Sequence, residues 1–221
     1  MIKIIFIDEE KGSHDLFEEY VYDSPMCGEI ELITAFPESK LGDMIEEIFD
    51  LNVDVVISDF KLNEIKEDIN YVIEYDGVEL IEAILEIKKG FPCFVMTSYD
   101  TDAIYASEDV NKVYDKEILH GYDVAQTNDP FLFRLKSQCD KYHKKIAEAQ
   151  EELQLLIETS NKRKLVLREE EQLIKLDDFL ESTIDSRNPI PYELKRTSNQ
   201  ANLVELLSKV DKFIEEVKQN D

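Results

Sequence analysis

The feature that most constrains the fold is a short run of β-branched residues that ends in a carboxylate. Valine and isoleucine dominate residues 53–57, and the chain turns polar at Ser58 and Asp59. Such runs are typical of strands in a parallel sheet that is buried on both faces. Ligands of open α/β sheets gather just beyond the carboxyl ends of these strands, where Asp59 would lie. Asp59 alone would favour a turn or helix cap, so its interpretation depends on the other strand ends.

Strand and helix patterns alternate along residues 1–128, which predicts a doubly wound α/β domain with a five-stranded parallel sheet. The predicted strands are 3–7, 29–36, 53–58, 91–96 and 112–114. The predicted helices are 14–21, capped by Ser13, then 41–50, 78–90 and a short acidic stretch at 101–108. The polar loop 60–76 is long for a strand-to-helix connection, which usually takes about 2–6 residues.

Residues 129–221 are predicted to form a separate helical module. A capping residue with proline at the first helical position starts a helix at 127–130. Apolar residues then recur over 135–156 at alternating spacings of four and three, which is a coiled-coil seam. The period fails at 159–161, indicating either a stutter in one long helix or the turn of a helical hairpin.

The seam needs a cover, either from a second chain or from helices of the same chain. The candidates within the chain are residues 162–185 and a last helix predicted over 198–217. Self-association is slightly favoured, because the sharpest helix breaker, Pro189, lies far beyond the break in the period. A homodimer is therefore one expected assembly.

Charge and composition exclude several classes of partner. The net charge is -25, and almost all of the acidic excess lies in residues 1–129, which argues against binding to a phosphate backbone. No apolar run approaches the roughly 20 residues that span a bilayer. Cys27, Cys93 and Cys139 are too far apart to suggest a disulfide framework or a metal site. We expect a cytoplasmic protein without nucleic-acid or membrane partners.

Four predicted strands end in residues whose chemistry is complementary. An acidic cluster at 8–10 follows the first strand, Asp59 the third, Thr97 the fourth and Lys116 the fifth. Carboxylate oxygens suit Mg²⁺, which needs few protein ligands, and a carboxylate can act as a nucleophile toward phosphorus. The resulting phosphate would need a cation and a hydroxyl group beside it. These strand ends therefore indicate a site that handles a phosphoryl group.

In this order, the motifs resemble the receiver domain of two-component response regulators. The matching segments are 7–10, 57–59, 76–80, 95–98 and 115–116. The resemblance covers roughly residues 1–125 and implies a flavodoxin-like fold. It also implies a phosphohistidine donor on a sensor histidine kinase or phosphotransfer protein.

The resemblance also implies a role for each matching residue. Asp59 corresponds to the phosphoacceptor, and Thr97 to the switch hydroxyl. Lys116 corresponds to the lysine that pairs with the phosphate. Asp8 and Glu9 correspond to the acidic pair that holds Mg²⁺ together with Asp59, and the backbone carbonyl of Lys61 is the implied further ligand.

Several positions depart from the family pattern. Glu9 stands where the family usually has aspartate, Asn63 and Glu117 stand where it usually has proline, and the loop before Gly77 is expanded. Val113 occupies a position that is usually aromatic. These departures concern the switch face more than the phosphorylation chemistry.

The expected function is signalling rather than enzymatic catalysis. The tail shows no basic helix-turn-helix pattern, so we expect output through protein contacts, as an adaptor or a phosphate sink. One alternative is a receiver-like scaffold that is not phosphorylated. A less favoured alternative is a phosphatase with an aspartate nucleophile. Haloacid-dehalogenase phosphatases place a second aspartate two residues after the nucleophile, where this chain has Lys61.

Overall fold

The computed structural model describes residues 1–64, 68–98, 112–120 and 130–190, together with Lys195 and Lys209. The chain divides into two compact units: Met1–Glu86 with Gly90–Tyr142, and Ile87–Lys89 with His143–Asp221. Three predictions lie outside the described residues, namely the cap at 127–129 and the helices at 101–108 and 198–217. The predicted boundary between residues 128 and 129 stays a prediction.

The first unit contains a five-stranded, all-parallel sheet with the order β2-β1-β3-β4-β5. The strands are β1 (Ile2–Ile7), β2 (Ile30–Ala35), β3 (Val55–Asp59), β4 (Cys93–Thr97) and β5 (Val113–Asp115). Every residue of β3 and β4 is buried, as expected for strands covered on both faces. The predicted doubly wound fold is confirmed.

Within the described residues, three helices connect the strands and two longer helices follow them. They are α1 (Lys11–Asp23), α2 (Leu41–Asp50), α3 (Gly77–Ile87), α4 (Pro130–Lys162) and α5 (Leu167–Ile184). Short 3-10 helices lie at Cys27–Glu29 and Lys116–His120. Among the described helices, none is both long and apolar enough to cross a membrane.

The predicted cap of α1 was wrong, because the helix begins two residues before Ser13. The Asp68 carboxylate, from the long loop, accepts a hydrogen bond from the backbone N–H of Lys11 at 3.0 Å. A first-turn N–H needs a partner outside the helix, and here that partner is remote in sequence. A local pattern cannot reveal such a cap.

The start of α4 belongs to the core of the first unit. Leu135 is fully buried and Cys139 almost so, in one cluster with Phe6, Phe94 and Phe131. The first part of the predicted seam is therefore packed against the sheet and is not a coiled-coil contact. The pattern shows that a face is apolar, but not which surface covers it.

In the second unit the rest of α4 packs against α5, which confirms the hairpin alternative. The shared core contains Ala149, Leu153, Leu173, Ile174, Leu176 and Leu180. The connection lies between Lys162 and Leu167, slightly later than the break in the period. Leu153 is fully buried within one chain, so the expectation that a second copy covers it is not supported.

Lys195 is a buried lysine that forms ion pairs with three acidic residues of α5. The Lys195 Nζ atom lies 2.8 Å from Asp177, 2.6 Å from Asp178 and 2.5 Å from Glu181. Glu181 also accepts the backbone N–H of Ile190 at 2.7 Å. Sequence reasoning missed this cluster, because the partners are 14 to 18 positions apart and no helical spacing connects them.

Candidate functional site

The sheet brings four strand ends to one edge. Asp8 follows β1, Asp59 ends β3, Thr97 ends β4 and Lys116 follows β5. These four strands are successive neighbours in the sheet. Asp8, Asp59 and Thr97 are each at most 3% exposed. Three side chains that water cannot reach freely therefore lie where ligands of this fold class bind.

Lys116 connects two of the predicted site residues directly. Its Nζ atom lies 2.6 Å from Asp59 Oδ1 and 2.7 Å from Asp8 Oδ2. The Ser13 hydroxyl, which sequence analysis assigned only to a cap, is 3.5 Å from the same Nζ atom. The lysine is thus held over the carboxylate that is the candidate nucleophile.

The electrostatics of the site are dominated by burial. Burial raises the pKa of Asp59; Lys116 opposes this shift and Asp8 adds to it. Burial, with further contributions from Asp59 and Asp8, raises the pKa of Glu9 to about 8. Burial alone would lower the pKa of Lys116, but Asp59 and Asp8 outweigh it and the pKa is raised. One lysine therefore faces more buried carboxylates than it can neutralise.

This excess of buried carboxylates fits a hard divalent cation. Mg²⁺ prefers oxygen ligands, and a bound cation would oppose the effect of burial and of the charges of Asp59 and Asp8, which together raise the pKa of Glu9. The backbone N–H of Lys61 donates to Asp59 Oδ2 at 2.5 Å. The Lys61 carbonyl accepts the N–H of Glu64 at 3.1 Å, and its role as a ligand stays a prediction.

Gly77, at the start of α3, touches the backbone of Asp59. A Cβ atom at position 77 would lie 1.8 Å from the Asp59 carbonyl oxygen. The Gly77 N–H donates to the Phe60 carbonyl at 2.9 Å, and the Ser58 hydroxyl donates to the Asp59 carbonyl at 2.9 Å. Sequence analysis recognised the segment 76–80 but missed this contact. The only signal was a glycine at the end of a polar loop.

The long loop before α3 is anchored to the segment that follows β2. The Tyr71 hydroxyl donates to the Pro37 carbonyl at 2.8 Å, and the Tyr75 hydroxyl donates to the Glu38 carbonyl at 2.7 Å. The side chain of Leu62, in the same loop, is fully buried. The expansion is thus a packed part of the first unit where the structure describes it.

The strand order 2-1-3-4-5, with acids and a lysine at its carboxyl edge, defines a receiver-like α/β fold. No protein-family model and no curated protein matches the sequence.

Among solved structures, the chain is similar to the response regulator RcsB from Salmonella enterica serovar Typhimurium, bound to promoter P1flhDC in the presence of the phosphomimetic BeF3-. The identity is 16% and the TM-score 0.41, over 85% of this chain and 93% of that chain. For a second structure, a complex of the response regulator RcsB with DNA, the identity is 14% and the TM-score 0.40. The match covers 85% of this chain and 94% of that chain. These likenesses are distant, and the fold class rests on the strand order.

Proposed function

We propose that this chain is a signalling protein that accepts a phosphoryl group on Asp59. The observation that carries the proposal is the bridge from Lys116 to both Asp59 and Asp8 at the buried strand ends. It unites a carboxylate nucleophile, an acidic pair suited to a cation and a fixed ammonium group in one site. Phosphoryl transfer to a carboxylate needs these three components.

The transfer step follows from the placement of these groups. An oxygen of the Asp59 carboxylate attacks phosphorus, and the bond from phosphorus to the donor's imidazole nitrogen breaks, with the electron pair leaving on the imidazole. Mg²⁺, held by Asp8, Glu9, Asp59 and the Lys61 carbonyl, would supply charge neutralisation for the phosphoryl oxygens. Lys116 lies close enough to Asp59 to pair with one of these oxygens.

After transfer, we infer that Thr97 and Lys116 report the phosphoryl group to the rest of the fold. Thr97 is fully buried at the end of β4, where its hydroxyl would donate to a phosphoryl oxygen. Lys116 would exchange part of its contact with Asp8 for the new phosphate. Thr97 ends β4 and Lys116 follows β5, its neighbour in the sheet, so the two responses would occur together.

The proposed partners follow from the receiver class and from the charge. The donor would be a sensor histidine kinase or a phosphotransfer protein in the cytoplasm, and the output would be an effector protein that binds the helical region. A homodimer of that region would need a surface other than the seam at Leu153, which is buried within one chain. The acidic excess of residues 1–129 disfavours nucleic acid as a ligand of the first unit.

Intact-mass spectrometry after incubation with acetyl phosphate and Mg²⁺ tests the proposal. Wild type should gain one phosphoryl group, and Asp59→Asn should gain none. Asp54→Asn is a matched control, because Asp54 precedes the same strand and its carboxylate accepts the Lys3 N–H at 2.9 Å. No adduct on wild type would indicate the scaffold alternative, and continuous phosphate release without an adduct would indicate a phosphatase.

A further inference from the structure

His14 is a buried histidine of α1 that contacts the backbone of the candidate site. Its side chain is only 2% exposed. Its ring centroid lies 4.7 Å from that of Phe36 and 6.0 Å from that of Phe6. A polar ring among aromatic side chains costs free energy unless it is hydrogen-bonded. The partner of its hydrogen bond therefore indicates the role of this histidine.

The hydrogen bond of His14 goes to the backbone of a candidate cation ligand. His14 Nε2 lies 3.0 Å from the Asp8 carbonyl oxygen. A carbonyl oxygen only accepts hydrogen bonds, so Nε2 carries the proton and donates it. Burial lowers the pKa of His14, and the neutral ring keeps this single tautomer through the hydrogen bond.

The other polar groups of Asp8 are also held. Its backbone N–H donates to the Ala35 carbonyl at 3.3 Å, its Oδ1 accepts the Glu10 N–H at 2.9 Å, and its Oδ2 faces Lys116. The backbone carbonyl of Asp8 accepts its hydrogen bond from His14, a residue of α1. This contact fixes the peptide plane between Asp8 and Glu9, and hence the directions in which both acidic side chains leave the backbone.

We propose that His14 is a positioning residue for the acidic pair Asp8 and Glu9, acting on cation binding and on phosphoryl transfer to Asp59. The inference rests on the proposed function, because it assumes that the pair binds a cation. Hydrogen-bonding partners of metal ligands orient those ligands, and their loss typically lowers metal affinity about 10–100-fold.

The test compares variants at position 14 by calorimetric titration of the full chain with MgCl₂. His14→Leu keeps the apolar volume but lacks a donor, and Mg²⁺ affinity should fall about 10-fold or more. His14→Gln places an amide N–H at about the position of Nε2, so it can still donate to the Asp8 carbonyl. The Mg²⁺ affinity of this variant should stay within about 3-fold of wild type, well short of the loss expected for His14→Leu. Phe17→Leu is the control, because Phe17 is buried on the same helix and stacks on Phe6; it should lower thermal stability without changing Mg²⁺ affinity.

The results separate the inference from the function on which it rests. Wild type that binds Mg²⁺ no better than Asp8→Ala overturns both. Wild-type binding with an equal affinity in His14→Leu overturns the positioning role alone. If His14→Leu does not fold, His14→Asn decides the matter, because its amide is too short to reach the carbonyl. Equal affinities of the Asn and Gln variants would then contradict the role, and a loss in Asn alone would support it.

Discussion

Lys116 holds two buried carboxylates at once, and its loss would leave both without their cation. Lys116→Met should therefore destabilise the protein by about 3 kcal/mol or more, as breaking a buried ion pair does. Urea unfolding in EDTA measures this change. Added Mg²⁺ should recover part of the lost stability, since a bound cation would replace the missing ammonium charge.

A matched control for this prediction is Lys136→Met. Lys136 pairs with Glu29, and both side chains are substantially exposed. Exposed pairs add little to stability, so the unfolding midpoint should hardly change. Equal effects of the two substitutions would show that Lys116 is an ordinary surface lysine.

Glu9 should make the stability of the metal-free protein depend on pH. Its pKa rises from 4.5 to about 8 in the folded state, so the folded protein binds more protons than the unfolded chain between these values. Stability then falls as the pH rises from about 5 to about 8. In EDTA, the melting temperature of wild type should fall relative to Glu9→Gln by at least about 2–4 °C, the shift that corresponds to about 1 kcal/mol.

Saturating Mg²⁺ should abolish this difference in pH dependence, because a bound cation favours the charged carboxylate. Parallel melting curves of wild type and Glu9→Gln across the whole range, without metal, would contradict the account. They would mean that Glu9 titrates as an exposed glutamate does.

Helix α3 approaches strand β3 closely at Gly77. Gly77→Ala would place a methyl group against the Asp59 carbonyl, and we expect a loss of about 1–3 kcal/mol, as in overpacked cores. Phosphorylation should also slow, because Asp59 must move. Chemical denaturation and the initial rate with acetyl phosphate measure the two effects.

Gly42→Ala serves as the control for that substitution. Gly42 is the second residue of α2, and within the described part of the chain no atom beyond its neighbours and its own helix backbone lies within 4 Å of an added methyl group. Alanine is a better helix former than glycine, so this variant should gain about 0.5–1 kcal/mol. If Gly77→Ala also increased the stability, α3 and Asp59 would not be in contact.

Elements with a purely local cause were predicted well. The bounds of α2 agree with its predicted range, because its apolar period is sufficient to define the helix. The start of α1 was missed, because its first N–H is satisfied by Asp68 across 57 positions. The hydrogen bond from His14 to Asp8 spans only six positions, but it too follows no helical or strand pattern along the chain.

At the scale of the whole molecule, the helical hairpin predicts a contrast between two neighbouring leucines. Leu153 is fully buried, whereas Leu155 is 63% exposed. Removing a buried leucine side chain costs about 2–5 kcal/mol. Leu153→Asp should cost more than this, because it also buries a charge, and the helical circular-dichroism signal should fall. Leu155→Asp should leave that signal unchanged.

Light scattering on the same two variants tests whether a second copy of the chain covers the apolar seam. If Leu153→Asp keeps its helical signal but halves the molecular mass, a second copy covers the seam and the hairpin account is wrong. The sequence pattern left this question open, because a heptad stripe is equally apolar whether its cover comes from α5 or from another chain.

The order of motifs along the sequence was enough to predict that four strand ends with polar residues would lie at one edge of the sheet. Parallel strands that are neighbours in a sheet must end at the same edge, so Asp59, Thr97 and Lys116 converge once the topology is known. The burial of Glu9 and the raised pKa that results were not predictable. Burial depends on how the whole chain packs around the strand ends.

Borodeuteride trapping tests whether Asp59 itself accepts the phosphoryl group. Hydride attacks the acyl carbon of an aspartyl phosphate, phosphate leaves, and further reduction gives homoserine. After treatment with acetyl phosphate and Mg²⁺, peptide mapping should find deuterated homoserine at position 59, and none without the phosphodonor. Reduction at another carboxylate, such as Asp8, or at none, would contradict the account.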